Sequence, residues 1–236
     1  MTISIKPTAS GSTIEQDGSQ VLSIDSNRNV GIGTSTPNQT LTVNGTIESL
    51  KDDVNEGGHL LLRAQSGYSY QYAVDNHIDK FRIIREDDST SANGTVLFEF
   101  DSSGRVTMPY QPAFMATGSF AGTVAAGAIL PFDGVYLNRG NHFNTSTYTF
   151  TAPVSGVYLF NIDIYPLGNI SVCFFKNGSQ VGAPTGLAKS GVTDQSVSIT
   201  NIISLSANDT ITVNSRSTQS SPLYMPHSSF SGYLIG

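Results

Sequence analysis

The chain has 236 residues, of which only 13% are charged and 38% hydrophobic, with 23 Gly, 10 Pro, 12 Phe and 10 Tyr. That mix is poor in helix-filling Ala, Leu, Glu and Lys, and its low charge and alternating apolar blocks exclude a disordered polymer. A net charge of −6 excludes the basic footprint of a nucleic-acid binder, and the single cysteine excludes a disulfide within the chain.

Residues 1–50 are rich in Thr, Ser, Asn and Gly, with small islands VLSID, NVGIGT and LTVNGTI. Val30 and Ile32, then Leu41 and Val43, are apolar at period two, which predicts strands of a few residues each. Such strands bury little by themselves, and several chains wound together would supply the missing core. GIGTST lacks the third Gly of a dinucleotide loop and the Lys-Ser/Thr ending of a phosphate loop. Pro37 follows where a helix would begin, so the segment is read as a turn. The opening MTISIKPTASGSTIEQDGSQ has no apolar segment of signal-peptide length, so the chain is expected to be made in the cytoplasm and not exported by the usual route. No stretch reaches the roughly 18 apolar residues of a membrane-spanning helix, so membrane insertion is not expected.

Residues 51–110 carry longer alternating runs. TIESLKDDVNEGG is read as a possible helical turn. Tyr68, Tyr70, Tyr72 and Val74 share one face of a strand, FRIIRED is a second strand, and TVLFEFDSSGRVTMP bends at Asp101–Gly104 into a hairpin. Glu86, Asp87 and Asp88 lack the spacing of a calcium loop and are read as a solvated turn.

From residue 111 onward the β signals are densest. GVYLFNIDIY alternates over its length, and Asn177–Gly178 joins SVCFFK to SQVG by the strongest short hairpin signal. QSVSITNIISL and DTITVNSR flank a turn at Ser206–Asn208, and SFSGYLIG is expected to run as a strand to the last residue. Strands at this spacing predict a sandwich. Cys173 falls on the opposite face of its strand from Phe174, and no cation adjoins it in sequence, so it is read as a packed thiol.

The intervals Phe132, Asn138, Phe143, Phe150, Gly156, Tyr158 and Phe160 resemble the globular head of complement component 1q. The opening Pro112–Phe114 and the closing Phe230–Ile235 fit the same pattern over residues 111–236; Ile162 departs from it, standing where the family carries Phe or Tyr. The resemblance implies an all-β jelly roll shared with the tumour necrosis factor superfamily, and a homotrimer. It implies core or trimer-contact roles for Phe143, Phe150, Tyr158, Phe160, Phe230 and Tyr233. It also implies that the last strand lies antiparallel beside the first, which sends the loops near 183–194 and 216–227 to the distal end. Lys189, Asp194, Arg216, Tyr224 and His227 are the candidate receptor-binding residues there.

NVGIGTSTPNQTLTVNGTI, FRIIREDDST and GRVTMPYQPAF resemble segments of trimeric bacteriophage tail fibres. Joined to the head, they imply three parts: a fibrous β stalk over 1–50, a β-rich shoulder over 51–110 and a jelly-roll knob over 111–236. The expected protein is a virion component that binds a bacterial polysaccharide or outer-membrane receptor and touches other tail or baseplate proteins. A trimeric adhesin or secreted complement-type head of cellular origin is the alternative, and a surface-polysaccharide depolymerase the third.

No GxSxG occurs, and His59, His77, His142 and His227 are scattered without metal-ligand spacing, so no enzyme activity, cofactor or metal is expected. His142 is read as a half-buried polar partner. Three of the seven Asn-x-Ser/Thr sequons begin with Asn-Gly and are read as turns.

Overall fold

The computed structural model describes residues 3–8, 11–17, 19–50, 56–63, 70–87, 94–167, 170–185, 196–216 and 222–236. The chain divides into two compact units, Met1–Thr107 and Met108–Gly236. All of its regular structure among the described residues is β, apart from one short 3-10 turn.

The first unit holds two five-stranded sheets. In one, β1 (Ile3–Thr8), β2 (Gly11–Gln16), β3 (Ser19–Asp25), β4 (Val30–Ile32) and β5 (Leu41–Val43) lie side by side in chain order. β4 and β5 are parallel, and the segment between them is pinned where Ser23 Oγ and Gln20 Nε2 both donate to the Thr34 carbonyl. β1 and β2 add to the three islands read from sequence. β1 contains Pro7, which it tolerates because it is an edge strand, where a missing N–H costs no ladder bond.

The other sheet is a meander of β6 (Glu56–Leu62), β7 (Tyr70–His77), β8 (Lys80–Asp87), β9 (Thr95–Phe100) and β10 (Val106–Thr107). The β9–β10 turn falls where expected, with Asp101 Oδ1 accepting from the Ser103 and Arg105 amides and Gly104 at φ +77°. Two expectations are corrected here. The helical turn read over residues 46–58 is absent from 46–50, and Glu56–Gly58 belong to β6 because pairing with β7 overrides their local polarity; residues 51–55 lie outside the described residues. Glu86 and Asp87 close strand β8 instead of making a turn, since Gln71 and Tyr70 lie opposite them in register. Tyr68 and Asp88 lie outside the described residues.

The second unit is a two-sheet sandwich. One sheet runs β13 (Gly134–Arg139), β11 (Ala113–Thr117), β22 (Ser229–Leu234), β16 (Gly156–Ile164), β19 (Val197–Leu205). The facing sheet runs β14 (Phe143–Asn144), β15 (Thr149–Thr151), β20 (Thr210–Ser215), β17 (Val172–Lys176), β18 (Ser179–Thr185). A two-residue pair, β12 (Ala121–Gly122) with β21 (Leu223–Tyr224), sits beside them. The first and last strands of the sandwich are antiparallel neighbours, Ala113 opposite Tyr233 and Thr117 opposite Ser229. This is a jelly roll.

Alternation explains which residues fill it. Along β16, Tyr158, Phe160, Ile162 and Ile164 are buried, while the residues between them are not. Phe114 stacks on Phe143 at 4.9 Å and on Phe150 at 5.0 Å, and meets Phe230 edge-on at 4.8 Å. Ile162 is fully buried, so its departure from the aromatic pattern leaves the layer filled. Asn138 replaces a missing strand partner: its side chain donates to the Phe143 carbonyl and accepts from the Phe143 amide. The regular strand β22 stops at Leu234, and Ile235 and Gly236 continue as hydrogen bonds to Val157. Tyr233 points away from the core and is 46% exposed, so it fills none of this chain's own interior.

At the end of the sandwich where the chain enters, which we call basal, Asn177 (φ 50°) and Gly178 (φ 78°) make the tight left-handed hairpin turn. Asn177 Nδ2 and Lys176 Nζ reach Asp209 at 2.7 and 2.8 Å, tying this hairpin to the turn before β20. Lys176 first, then Asn177 and the Ser206 amide, hold the Asp209 carboxyl at about 2, below its ordinary 3.8.

Two outcomes are expected. Gly232 lies under the rings of Phe160 and Phe114, and a Cβ there would fall 2.9 Å from Phe114 Cε1 and nearer still to Phe160. Gly232→Ala should therefore lose about 1–3 kcal/mol in urea unfolding. Ser231→Ala, one residue away on the open face, should stay within about 0.5 kcal/mol of wild type. The second concerns acid. A depressed carboxylate contributes stability that is fully present above 3.8 and is lost as pH falls through about 2. Asp209→Asn should be less stable than wild type at neutral pH, with the gap closing across that window. A gap that does not change with pH would show that Asp209 acts through packing alone.

Candidate functional site

Register fixes which loops share an end. β11 ends and β22 begins at the end opposite the chain's point of arrival, where Thr117 faces Ser229. β16 leaves toward that distal end, with Asp163 opposite Ser229, and β19 starts there, with Val197 opposite Ile164. In the other sheet, Val172 faces Ser215, so β17 begins and β20 finishes distally. β16, β18 and β20 therefore finish at the distal end, and the tight turns 177–178 and 206–209 are basal.

Three rings meet at the distal end. Tyr224 and His227 lie 4.8 Å apart, and Tyr165 lies 5.3 Å from His227 and 6.4 Å from Tyr224, each pair edge-to-face. The backbone sets them: the Tyr224 amide donates to the Tyr165 carbonyl, and the Leu167 amide to the Pro222 carbonyl. Below them, the Met225–His227 3-10 turn is seated by buried Met225, whose amide donates to the Phe120 carbonyl. Buried Ser228 accepts from the Tyr165 amide and donates to the Tyr224 carbonyl. His227 is exposed, and both tyrosines are half-buried. In each pair the edge of one ring rests on the face of the other, so the cluster holds itself by its own packing.

Arg216 is exposed at the same end in the opposite sheet, its amide donating to the Ser171 carbonyl. Lys189 and Asp194 lie outside the described residues. Tyr224 and His227 thus come together, and Tyr165, which the alternation assigned merely to the end of a strand, joins them. Its only sequence signal was the Pro166 that follows, which ends β16 and turns the ring into the connection.

Little here points to covalent chemistry. Among the described residues no cluster of three or more His, Cys, Asp or Glu is arranged to hold a metal ion. His142 is half-buried, and burial pushes its pKa down. Cys173 is buried, and burial pushes its thiol up; Arg216 opposes that shift, a cation near the thiol that spacing along the chain did not reveal.

A family model for the C1q domain matches residues 113–235. The chain is similar to the collagen alpha-1(X) chain of Mus musculus, 32% identical over 115 residues. That stretch is 47% of this chain and 17% of the collagen, so the chain spans about a sixth of that relative. Among solved structures, the globular domain of zebrafish complement 1qA protein is 20% identical with a TM-score of 0.47, over 53% of this chain and 98% of that one. Eiger TNF from S. frugiperda is 18% identical with a TM-score of 0.40, over 53% of this chain and 93% of that one.

The burial of Cys173 sets an expectation. The native protein should not react with Ellman's reagent, and one thiol per chain should titrate once guanidinium unfolds it. Prompt reaction in the native state would show that the thiol reaches solvent.

Proposed function

The chain belongs to the C1q domain family, and from that premise we propose that it is a homotrimeric binding protein whose head meets a surface ligand at its distal end. The observation that carries the trimer is the outer face of the β13–β11–β22–β16–β19 sheet. Tyr233, Leu159 and Ile202 stand in register across β22, β16 and β19, Met115 and Leu137 pair across β11 and β13 two residues nearer the distal end, and all but Leu159 are exposed. Such a band on one chain is a contact surface. On β16 and β19 the same face turns polar toward the distal end, with Asn161 accepting from Thr200 and donating to Asp163. The chain acts by binding and not by catalysis in this reading. Its ligand-contacting side chains are Tyr165, Tyr224 and His227, with Arg216 beside them, on loops held by a rigid sandwich. A glycan or other polar ligand with a stackable face fits this set.

The collagen relative is a cellular protein, which supports a complement-type head of cellular origin ahead of a viral one. The bacteriophage-fibre reading rests on a different observation, the NVGIGTSTPNQTLTVNGTI text that becomes β4, β5 and their connection. On that reading the protein is a virion component, the first unit is a trimeric stalk, and the ligand is a bacterial polysaccharide or outer-membrane receptor.

The test is a triple variant, Arg216→Ala with Tyr224→Ala and His227→Ala, screened beside wild type on a glycan array and on whole bacteria. Binding should fall at least about tenfold, as loss of roughly 1.4 kcal/mol or more requires. The light-scattering mass should remain that of three chains and the melting temperature unchanged. Undiminished binding would move the site off the distal end, and a mass near 25.1 kDa for wild type at micromolar concentration would overturn the trimer. Immunogold labelling against residues 111–236 should mark cell surfaces or secreted material on the first reading, and fibre tips of particles on the second.

A further inference from the structure

The meander sheet of the first unit has its polarity reversed. On one face, the aligned pair Asp75 and Arg82 is buried, joined by two hydrogen bonds of 2.9 and 2.5 Å, with Ala73 and Ile84 buried beside it. Lys80 with Glu99 and Gln71 with Glu86 complete that side. The charged face is thus the covered one, and its charges are matched within the chain.

The opposite face is apolar and open. Leu62 faces Tyr72, Leu60 faces Val74, Val74 faces Ile83, and Phe81 faces Phe100, so these side chains occupy one continuous surface. Leu60, Leu62, Tyr70, Tyr72, Phe81 and Phe100 are each 37% to 62% exposed. Phe81 and Phe100 stack at 4.8 Å, and the Arg85 guanidinium sits 4.4 Å over the Tyr70 ring, which masks the cation at one edge. Together these six expose on the order of 500 Å², taking about 150–250 Å² for a whole aromatic side chain. That is as large as the largest patch on a typical monomer, at roughly 300–600 Å².

We propose that this face is a second homotypic contact, where the middle sheets of three copies of this chain meet independently of their heads. The proposal rests on the homotrimer reading and extends it to a part of the chain outside the C1q domain. Three considerations select further copies of the chain as the occupant. Roughly 500 Å² from each copy sums to about 1,500 Å² shared over three pairwise contacts, the scale of a weak interface that the contact between heads supplements. Among the described residues the one cation of this face, Arg85, lies over the Tyr70 ring, and an apolar surface meeting itself needs no steering charge. Chains already tethered at the head present it at an effective concentration near millimolar.

The full-length chain with single cysteines tests this. Tyr72→Cys and Leu62→Cys report on the proposed face, Tyr233→Cys on the head, and Ser102→Cys, in the exposed β9–β10 turn, on chance encounters. Each is treated with a short bismaleimide at micromolar protein and read on denaturing gels, with wild type as the control for Cys173. Tyr72→Cys and Leu62→Cys should give at least about tenfold more covalent dimer than Ser102→Cys, which the same tether holds near its copies but outside the contact. Cross-linking through Tyr233→Cys alone would overturn the second contact and leave the head trimer standing. Cross-linking through Tyr72→Cys and Leu62→Cys alone would uphold the second contact and refute the head trimer. Cross-linking at none of them, with a single-chain mass in solution, would remove both.

Discussion

Phe160 and Phe114 share one layer of the sandwich because position 232 between them has no side chain. Gly232 sits on β22, which pairs with β11 on one side and β16 on the other, so the bare position is where three strands of one sheet admit the rings of the core. Phe143, Phe150 and Phe230 then close around Phe114. The first and last strands are far apart in the chain, and this packing holds them side by side. With them in place, the order of the remaining strands and the ends at which their connections fall follow from antiparallel pairing.

Much of this was legible before any coordinates. The alternation in GVYLFNIDIY marks β16 and its buried face, and Asn177–Gly178 marks the β17–β18 turn, because each is a local rule acting over a few residues. The aromatic and Gly intervals carried the family resemblance, since a sandwich of fixed thickness constrains bulky residues at fixed separations. What stayed hidden depended on partners remote in sequence. Edge position decides whether Pro7 breaks a strand, and no local pattern states edge position. Pairing with β7 decides that Glu56–Gly58 extend, against their own polar and Gly-rich character. Tyr165 joins Tyr224 and His227 through a connection closed by the Leu223–Pro166 bridge, across about sixty residues.

The two units handle polar and apolar surface differently. In the sandwich, buried and half-buried polar groups serve the backbone: the half-buried Asn138 side chain completes the β14 ladder, Ser228 holds the distal turn, and Asn214 donates to the Gly127 carbonyl. In the meander sheet a full ion pair, Asp75 with Arg82, is buried while aromatic rings face outward. A buried pair with good geometry is costly to break but adds little net stability compared with apolar packing. Its value lies in fixing register, since a slip of one residue would carry Asp75 and Arg82 to opposite faces.

The lengthwise pairing of antiparallel β11 and β22 has a mechanical consequence. The chain enters the sandwich at Met108–Pro112, where the Leu234 amide donates to the Pro112 carbonyl and Gln111 Nε2 donates to the Leu234 carbonyl. A tug arriving there and resisted by something held at the distal end runs lengthwise along β11. The five aligned residue pairs between β11 and β22 then bear the load together, in shear, instead of parting one after another as a zipper would. A sandwich strung this way resists extension best along the line joining its basal and distal ends, and is weakest to a force that peels β13, the outer strand of that sheet, sideways.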